Sequence, residues 1–202
     1  MPWKKVKNLL ATQSILLASG SPRRREILSL LGLPMEVATP QVDEKPPADK
    51  DVFSQISEIA EKKAGWARSY YPHHLIIAAD TEVILEGRLW GKPKSREEAK
   101  AMLLALSGRT HIVATSVVVL FPRRERYLFQ EKTLVTLARF SADDLDEYLS
   151  CENPLDKAGG YGIQDFFGAC FIERIDGCFY NVMGFPLPRF CQFMSRLEFT
   201  DT

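Results

Sequence analysis

Ser21, Arg23 and Arg24 stand in the stretch ASGSPRRREILSLLG (residues 18–32), where an apolar run gives way to a helical spacing. A serine hydroxyl, the free N–H groups of a helix start and guanidinium groups at one junction are the chemistry of a phosphate site. Positive charge in a first turn opposes the helix dipole, by roughly 0.3–1 kcal/mol per charge. A bound anion would relieve that cost; the plainer alternative is a solvated basic turn. Arg23 and Arg24 precede Ile27 and Leu28 by three or four positions and so share the inward side, whereas Arg25 falls with Glu26 and Ser29 on the polar face. The glycine-lysine pattern of a P-loop is absent.

Other polar residues occupy positions that need explaining. Lys63 falls in the apolar stripe Val52, Ile56, Ile59/Ala60, Ala67, so it needs either an anion or a route for its ammonium to water. Asp80 interrupts the apolar run LIIAADTEVIL. Buried without partners, a carboxylate there costs several kcal/mol, which a metal ion would offset; an Asx-type turn is the alternative. Glu44 in VDEKPP and Lys92 in WGKP carry little meaning singly. In DKAGGYGIQD the glycines permit close approach to a ligand, and the Gln164 amide suits a base edge; a plain turn remains open. Together these make cations for phosphate oxygens, two acids for a divalent ion and an amide for a base. No histidine or cysteine spacing suggests a metal cage or a nucleophile.

These residues must be positioned by alternating strands and helices. SILLAS reads as a buried strand, and Ser21–Pro22 as the cap and first residue of a helix. VFSQISEIAEKKAGWARSY reads as a second helix. HLIIAADTEVIL is a strand with Asp80 and Thr81 in its middle or at its end, and EGRLWGKP a turn and short return. Ser95-x-x-Glu98 opens a further helix. HIVATSVVVLF and EKTLVTLARF are strands joined by PRRER, and Ser141 starts a short acidic helix. ACFIERI and CFYNVMG are expected to pair as a hairpin around Asp176–Gly177, before a last helix, PLPRFCQFMSRL. The expected class is α/β, a mixed twisted sheet with flanking helices.

With 202 residues, 46% hydrophobic and 26% charged, the chain suits one globular domain. Basic and acidic residues balance at 26 each, so no global field favours nucleic acid or an anionic membrane. The four cysteines lack CxxC spacing and are expected reduced and mostly buried. Residues 1–13 lack the apolar run of a signal peptide, and a cytoplasmic protein is expected.

LASGSPRRREIL, AADTEVIL…WGKP, LSGRTH and PLDKAGGYGIQ…NVMGFPL resemble, in order and spacing, the Maf family of nucleoside triphosphate pyrophosphatases. The resemblance runs from about residue 14 to about residue 195; a single domain over residues 14–198 is expected, and residues 1–13, outside the resemblance, are expected to be a flexible extension. The resemblance implies an inosine-triphosphate-pyrophosphatase-like fold with two lobes around a central cleft, and a homodimer. The implied reaction splits a nucleoside triphosphate between the α and β phosphates, using a divalent cation, Mg²⁺ or Mn²⁺. Ser21 and Arg24 match phosphate-holding positions. Glu44, Lys63, Asp80 and Lys92 match the catalytic set, with Asp80 the proton acceptor and Asp80 and Glu44 the metal ligands. Arg23, Thr81 and Gln164 look like the dTTP/UTP subgroup rather than the 7-methyl-GTP one. Glu82 stands where relatives usually carry an aliphatic residue, and Asp165–Phe166–Phe167 replaces a small, glycine-rich continuation. A nucleotide-sensing regulator of septum formation, with little turnover, is the alternative function.

Overall fold

A computed structural model describes residues 3–45, 47, 49–122 and 125–197; Met1, Pro2, Arg123 and Arg124 of PRRER, and the expected domain end at Glu198 lie outside them. The elements in chain order are α1 (Trp3–Ala11), β1 (Ile15–Ala18), α2 (Pro22–Ser29), β2 (Glu36–Ala38), α3 (Val52–Tyr70), β3 (Leu75–Leu85) and β4 (Arg88–Trp90). They continue with α4 (Arg96–Leu106), β5 (Thr110–Leu120), β6 (Arg126–Leu137), α5 (Ala142–Cys151), a 3₁₀ turn (Ala158–Gly160), α6 (Phe166–Phe171), β7 (Ile172–Asp176), α7 (Phe179–Met183) and α8 (Leu187–Arg196).

The sheet runs β2-β1-β3-β5-β6-β7, with β4 also on β3. β2, β1 and β3 are parallel, while β3, β5, β6 and β7 pair antiparallel. This is the mixed α/β architecture expected. β3 is buried nearly throughout because both of its faces are covered. Leu75, Ile77 and Ala79 join the core with α1, α2 and α8, and Ile76 and Ala78 pack on Ala60, Ala64 and Ala67 of α3. Beyond residue 82 the same strand enters a second core, where Val83 and Leu85 meet α4, α5 and α6. These two packed regions, threaded by β3, β5 and β6, form the two lobes.

Along one edge β3 pairs with β1 only at residues 75–78 and with β4 only at 83–85. Residues 79–82 therefore have no strand neighbour on that edge, and the cleft opens there, at the carboxyl end of β1. Ligands of open α/β sheets collect at such strand ends.

Three expectations are corrected. Residues 3–11 of the N-terminal extension are not loose: they form α1, and Val6 and Leu10 are buried against α8. An amphipathic stripe that finds an apolar partner is ordered by its burial. CFYNVMG does not return as a strand; β7 pairs with β6 instead, and Phe179–Met183 is α7. Its Asn181 is fully buried, donating to the Val113 carbonyl and to Thr133 Oγ1, both at 3.0 Å, bonds that hold the segment against β5 and β6. The cysteines are free as expected but not mostly buried: Cys151 and Cys170 are exposed and Cys178 and Cys191 half-buried.

Candidate active site

The period-2 alternation of β3 sends neighbouring side chains to opposite faces. Asp80 faces α3, where the stripe position of Lys63 meets it: Lys63 Nζ donates to Asp80 Oδ1 at 2.8 Å. Both residues are buried, so neither an Asx turn nor a lysine reaching for water describes them. The same Nζ lies 3.0 Å from Glu44 Oε1, contributed by the loop after β2. One ammonium thus gathers two carboxylates from distant parts of the chain. Burial alone would raise the Glu44 carboxyl, but Lys63, by charge and hydrogen bond, and then Lys92 and Arg24, bring it below the usual range.

Thr81 faces the other way, towards α2. Ser21 caps that helix, its hydroxyl accepting from the Arg24 N–H, and Pro22 at the first position fixes the backbone. Arg24 is buried beside Thr81, Ser19 and the Gly184 carbonyl. Burial pulls its guanidinium down and the charges of Asp80 and Glu44 oppose that. Gly184 has φ +124, which favours glycine, at the turn that brings its carbonyl to this arginine. Arg23 turns to the opposite lobe: Nη1 donates to Asp156 Oδ2 at 2.7 Å and Nη2 to the Asp156 carbonyl at 2.8 Å. Arg25 is exposed. The charge crowded at the start of α2 is therefore divided among a carboxylate, a set of buried acceptors and solvent.

All nine residues singled out from the sequence, Ser21, Arg23, Arg24, Glu44, Lys63, Asp80, Thr81, Lys92 and Gln164, line one cleft of about 970 Å³. Lys92 is exposed at its wall. Gln164 donates to Asp165 Oδ1 at 3.0 Å, and Asp165 also forms an ion pair with the buried Lys157. Asp165 thus anchors the Gln164 amide, and the chain after it sends Phe167 into the second core while Phe166 stays exposed. Asp156, Lys157 and Tyr161 also line the cleft but were not singled out by sequence. The first two belong to a polar, glycine-rich stretch in which no pattern sets a charged residue apart.

Glu82 points into the same cleft, and its Oε2 is buried without a hydrogen-bond partner. Burial, and then Asp80, push its carboxyl up to about 8, against Lys63 and Lys92. Among the described residues no three or more histidine, cysteine, aspartate or glutamate side chains are grouped as a metal cage. Mg²⁺ and Mn²⁺ sites for nucleotides use one or two carboxylates completed by phosphate oxygens and water. Asp80 and Glu44, hard oxygen donors on one ammonium, fit that donor set.

The profile of the Maf-like protein family matches residues 14–197. The chain belongs to the Maf family. A relative from Bacillus cereus (strain AH187), named dTTP/UTP pyrophosphatase, is 37% identical over 190 residues, covering 94% of this chain and 98% of its own. One from Caldicellulosiruptor bescii with the same name is 40% identical, covering 92% and 95%. Among solved structures, the Staphylococcus aureus Ham1 protein aligns with 62% of this Maf chain and 72% of its own at 18% identity and TM-score 0.46. The family assignment rests on the sequence matches.

Proposed function

We propose that this Maf protein hydrolyses nucleoside triphosphates, preferring dTTP and UTP, to the nucleoside monophosphate and pyrophosphate. The observation that carries the reading is the pair of carboxylates on Lys63, facing a cleft lined with arginine and lysine. The names of the relatives support the substrate. In the proposed step a water oxygen bonds to the α phosphorus, the bond from that phosphorus to the α–β bridging oxygen breaks, and pyrophosphate leaves. Asp80 accepts the water proton. Lys63 holds Asp80 and Glu44 in place, and Arg24 and Lys92 stabilise charge on the transferring and leaving phosphates. A bound Mg²⁺ or Mn²⁺, held by Asp80 and Glu44, would supply further neutralisation of the triphosphate. Arg23 and Gln164 stand on the wall proposed to face the base.

The test is a nucleotide panel with Mg²⁺ or Mn²⁺, in which pyrophosphate and phosphate are measured separately. Higher kcat/KM for dTTP and UTP than for ATP, GTP or 7-methyl-GTP, with pyrophosphate the only inorganic product, is expected. Release of orthophosphate, or tight binding without turnover, overturns the reading; the latter outcome would favour the sensor. Asp80→Asn is expected to abolish pyrophosphate release with little change in thermal melting, since an amide oxygen still accepts from Lys63. A homodimer is proposed on the family resemblance. Light scattering is expected to give about twice the 22.9 kDa chain mass.

A further inference from the structure

A glutamine amide can present either end to a base edge. Its carbonyl oxygen accepts and its NH₂ group donates, so a freely rotating Gln164 would match uracil in one orientation and cytosine in the other. Uracil and thymine carry an N–H at ring position 3 beside a carbonyl at position 4. Cytosine carries a bare nitrogen beside an amino group, which is the reverse pattern.

In this chain the amide is not free to choose. Gln164 Nε2 donates to Asp165 Oδ1 at 3.0 Å. A carboxylate only accepts, so the NH₂ end faces it and the carbonyl oxygen is left for the cleft that Gln164 lines. Asp165 is itself fixed. It pairs with Lys157, their side chains being 12% and 7% exposed, and Glu152 Oε2 lies 3.5 Å from the same ammonium. A Cβ on Gly162 would collide with the Asp165 carboxylate, so the glycine makes room for it. The Asp165 N–H closes the turn onto the Gly162 carbonyl at 3.3 Å, which sets the backbone of Gln164 between them.

We propose that Asp165, backed by Lys157, is a positioning residue for Gln164: it turns the amide carbonyl towards the base, so that the cleft takes pyrimidines with an N–H at ring position 3 and rejects cytosine. The inference rests on the proposed nucleotide hydrolysis, with Gln164 on the wall that faces the base. It gives a role to the acid that follows Gln164 where a small residue was expected, and to Lys157, which no sequence pattern set apart.

UTP and CTP differ at these two ring positions alone and are the probes. For both, kcat and KM are measured in the wild type and in Asp165→Asn. The wild type is expected to favour UTP by about tenfold or more in kcat/KM, because the wrong base sets like groups against each other. An asparagine can accept from Gln164 or donate to it. Asp165→Asn is therefore expected to bring the ratio within about threefold of one, with a gain in kcat/KM for CTP through a lower KM. Damage to the loop alone would lower both substrates and raise neither. Equal use of UTP and CTP by the wild type, or no gain for CTP in Asp165→Asn, overturns the proposal. Should Asp165→Asn lose its thermal transition, Asp165→Ser, whose hydroxyl also donates and accepts, carries the same test, and the absence of a CTP gain in it is the overturning result. A wild type that turns over no nucleotide refutes the proposed function, while calorimetric binding of UMP against CMP still decides whether the amide is set for uracil.

Discussion

His111, on β5, is buried with Nε2 only 2.6 Å from the Tyr161 hydroxyl, and its Nδ1 has no partner. Burial pulls the imidazole down to about 4 and holds the phenol protonated by raising it. The unfolded chain takes up that proton near pH 6.5, so it binds more protons than the fold between about pH 6.5 and 4. Stability from this residue is therefore complete above pH 6.5 and is lost as pH falls towards 4. Between pH 7 and 5 the loss is about 2 kcal/mol. Urea unfolding at both pH values checks it: His111→Gln is expected to show a shallower dependence than wild type, and parallel dependences would refute the assignment. Among site residues, legibility follows the same logic of burial. Lys63 and Asp80 break apolar patterns and so stand out in the bare sequence. Asp156 and Lys157 lie in a polar loop, where a charge looks ordinary until its partner, Arg23 or Asp165, is brought to it by the fold.

The elements that a helical period or a long apolar run marks strongly are where the sequence places them: α3 spans Val52–Tyr70 and β3 spans Leu75–Leu85. Short elements are another matter. β2 has three residues and exists through its pairing with β1. α7 has five, tied down by Asn181, so a β-rich local composition is overridden by distant partners. α1 shows the same dependence. Its own stability is slight at nine residues, and Leu10, fully buried, couples it to the core with Phe190 and Met194. Leu10→Ala is expected to cost about 2–5 kcal/mol of unfolding free energy, read by denaturant titration. A cost within about 0.5 kcal/mol, the range of an ordinary surface change, would mean that α1 is not docked. The 3₁₀ turn also depends on tertiary fit, since Gly159 has φ +68 and a Cβ there would stand 2.8 Å from Val83 Cγ2. Gly159→Ala is expected to destabilise the protein by more than about 1 kcal/mol, by the same titration.

Across the whole molecule, the two lobes share strands but meet over the cleft through side chains. The Arg23–Asp156 pair spans it, with Asp156 part-exposed. Pairs of this exposure contribute about 0–1 kcal/mol, so Asp156→Ala is expected to leave global unfolding nearly unchanged. Hydrogen exchange in residues 158–165 should nevertheless accelerate, because local opening is set by local restraints. Unchanged exchange there would show that the pair does not hold the loop. The gap at residues 79–82, where β1 has ended and β4 has not begun, carries its own consequence. Peptide groups on that margin are offered to whatever fills the cleft, and a peptide N–H is common to every amino acid except proline. A ligand that took up these groups would be held in part by the main chain. A scan that replaces side chains one by one would leave any such share of the affinity standing, whichever residue it removes.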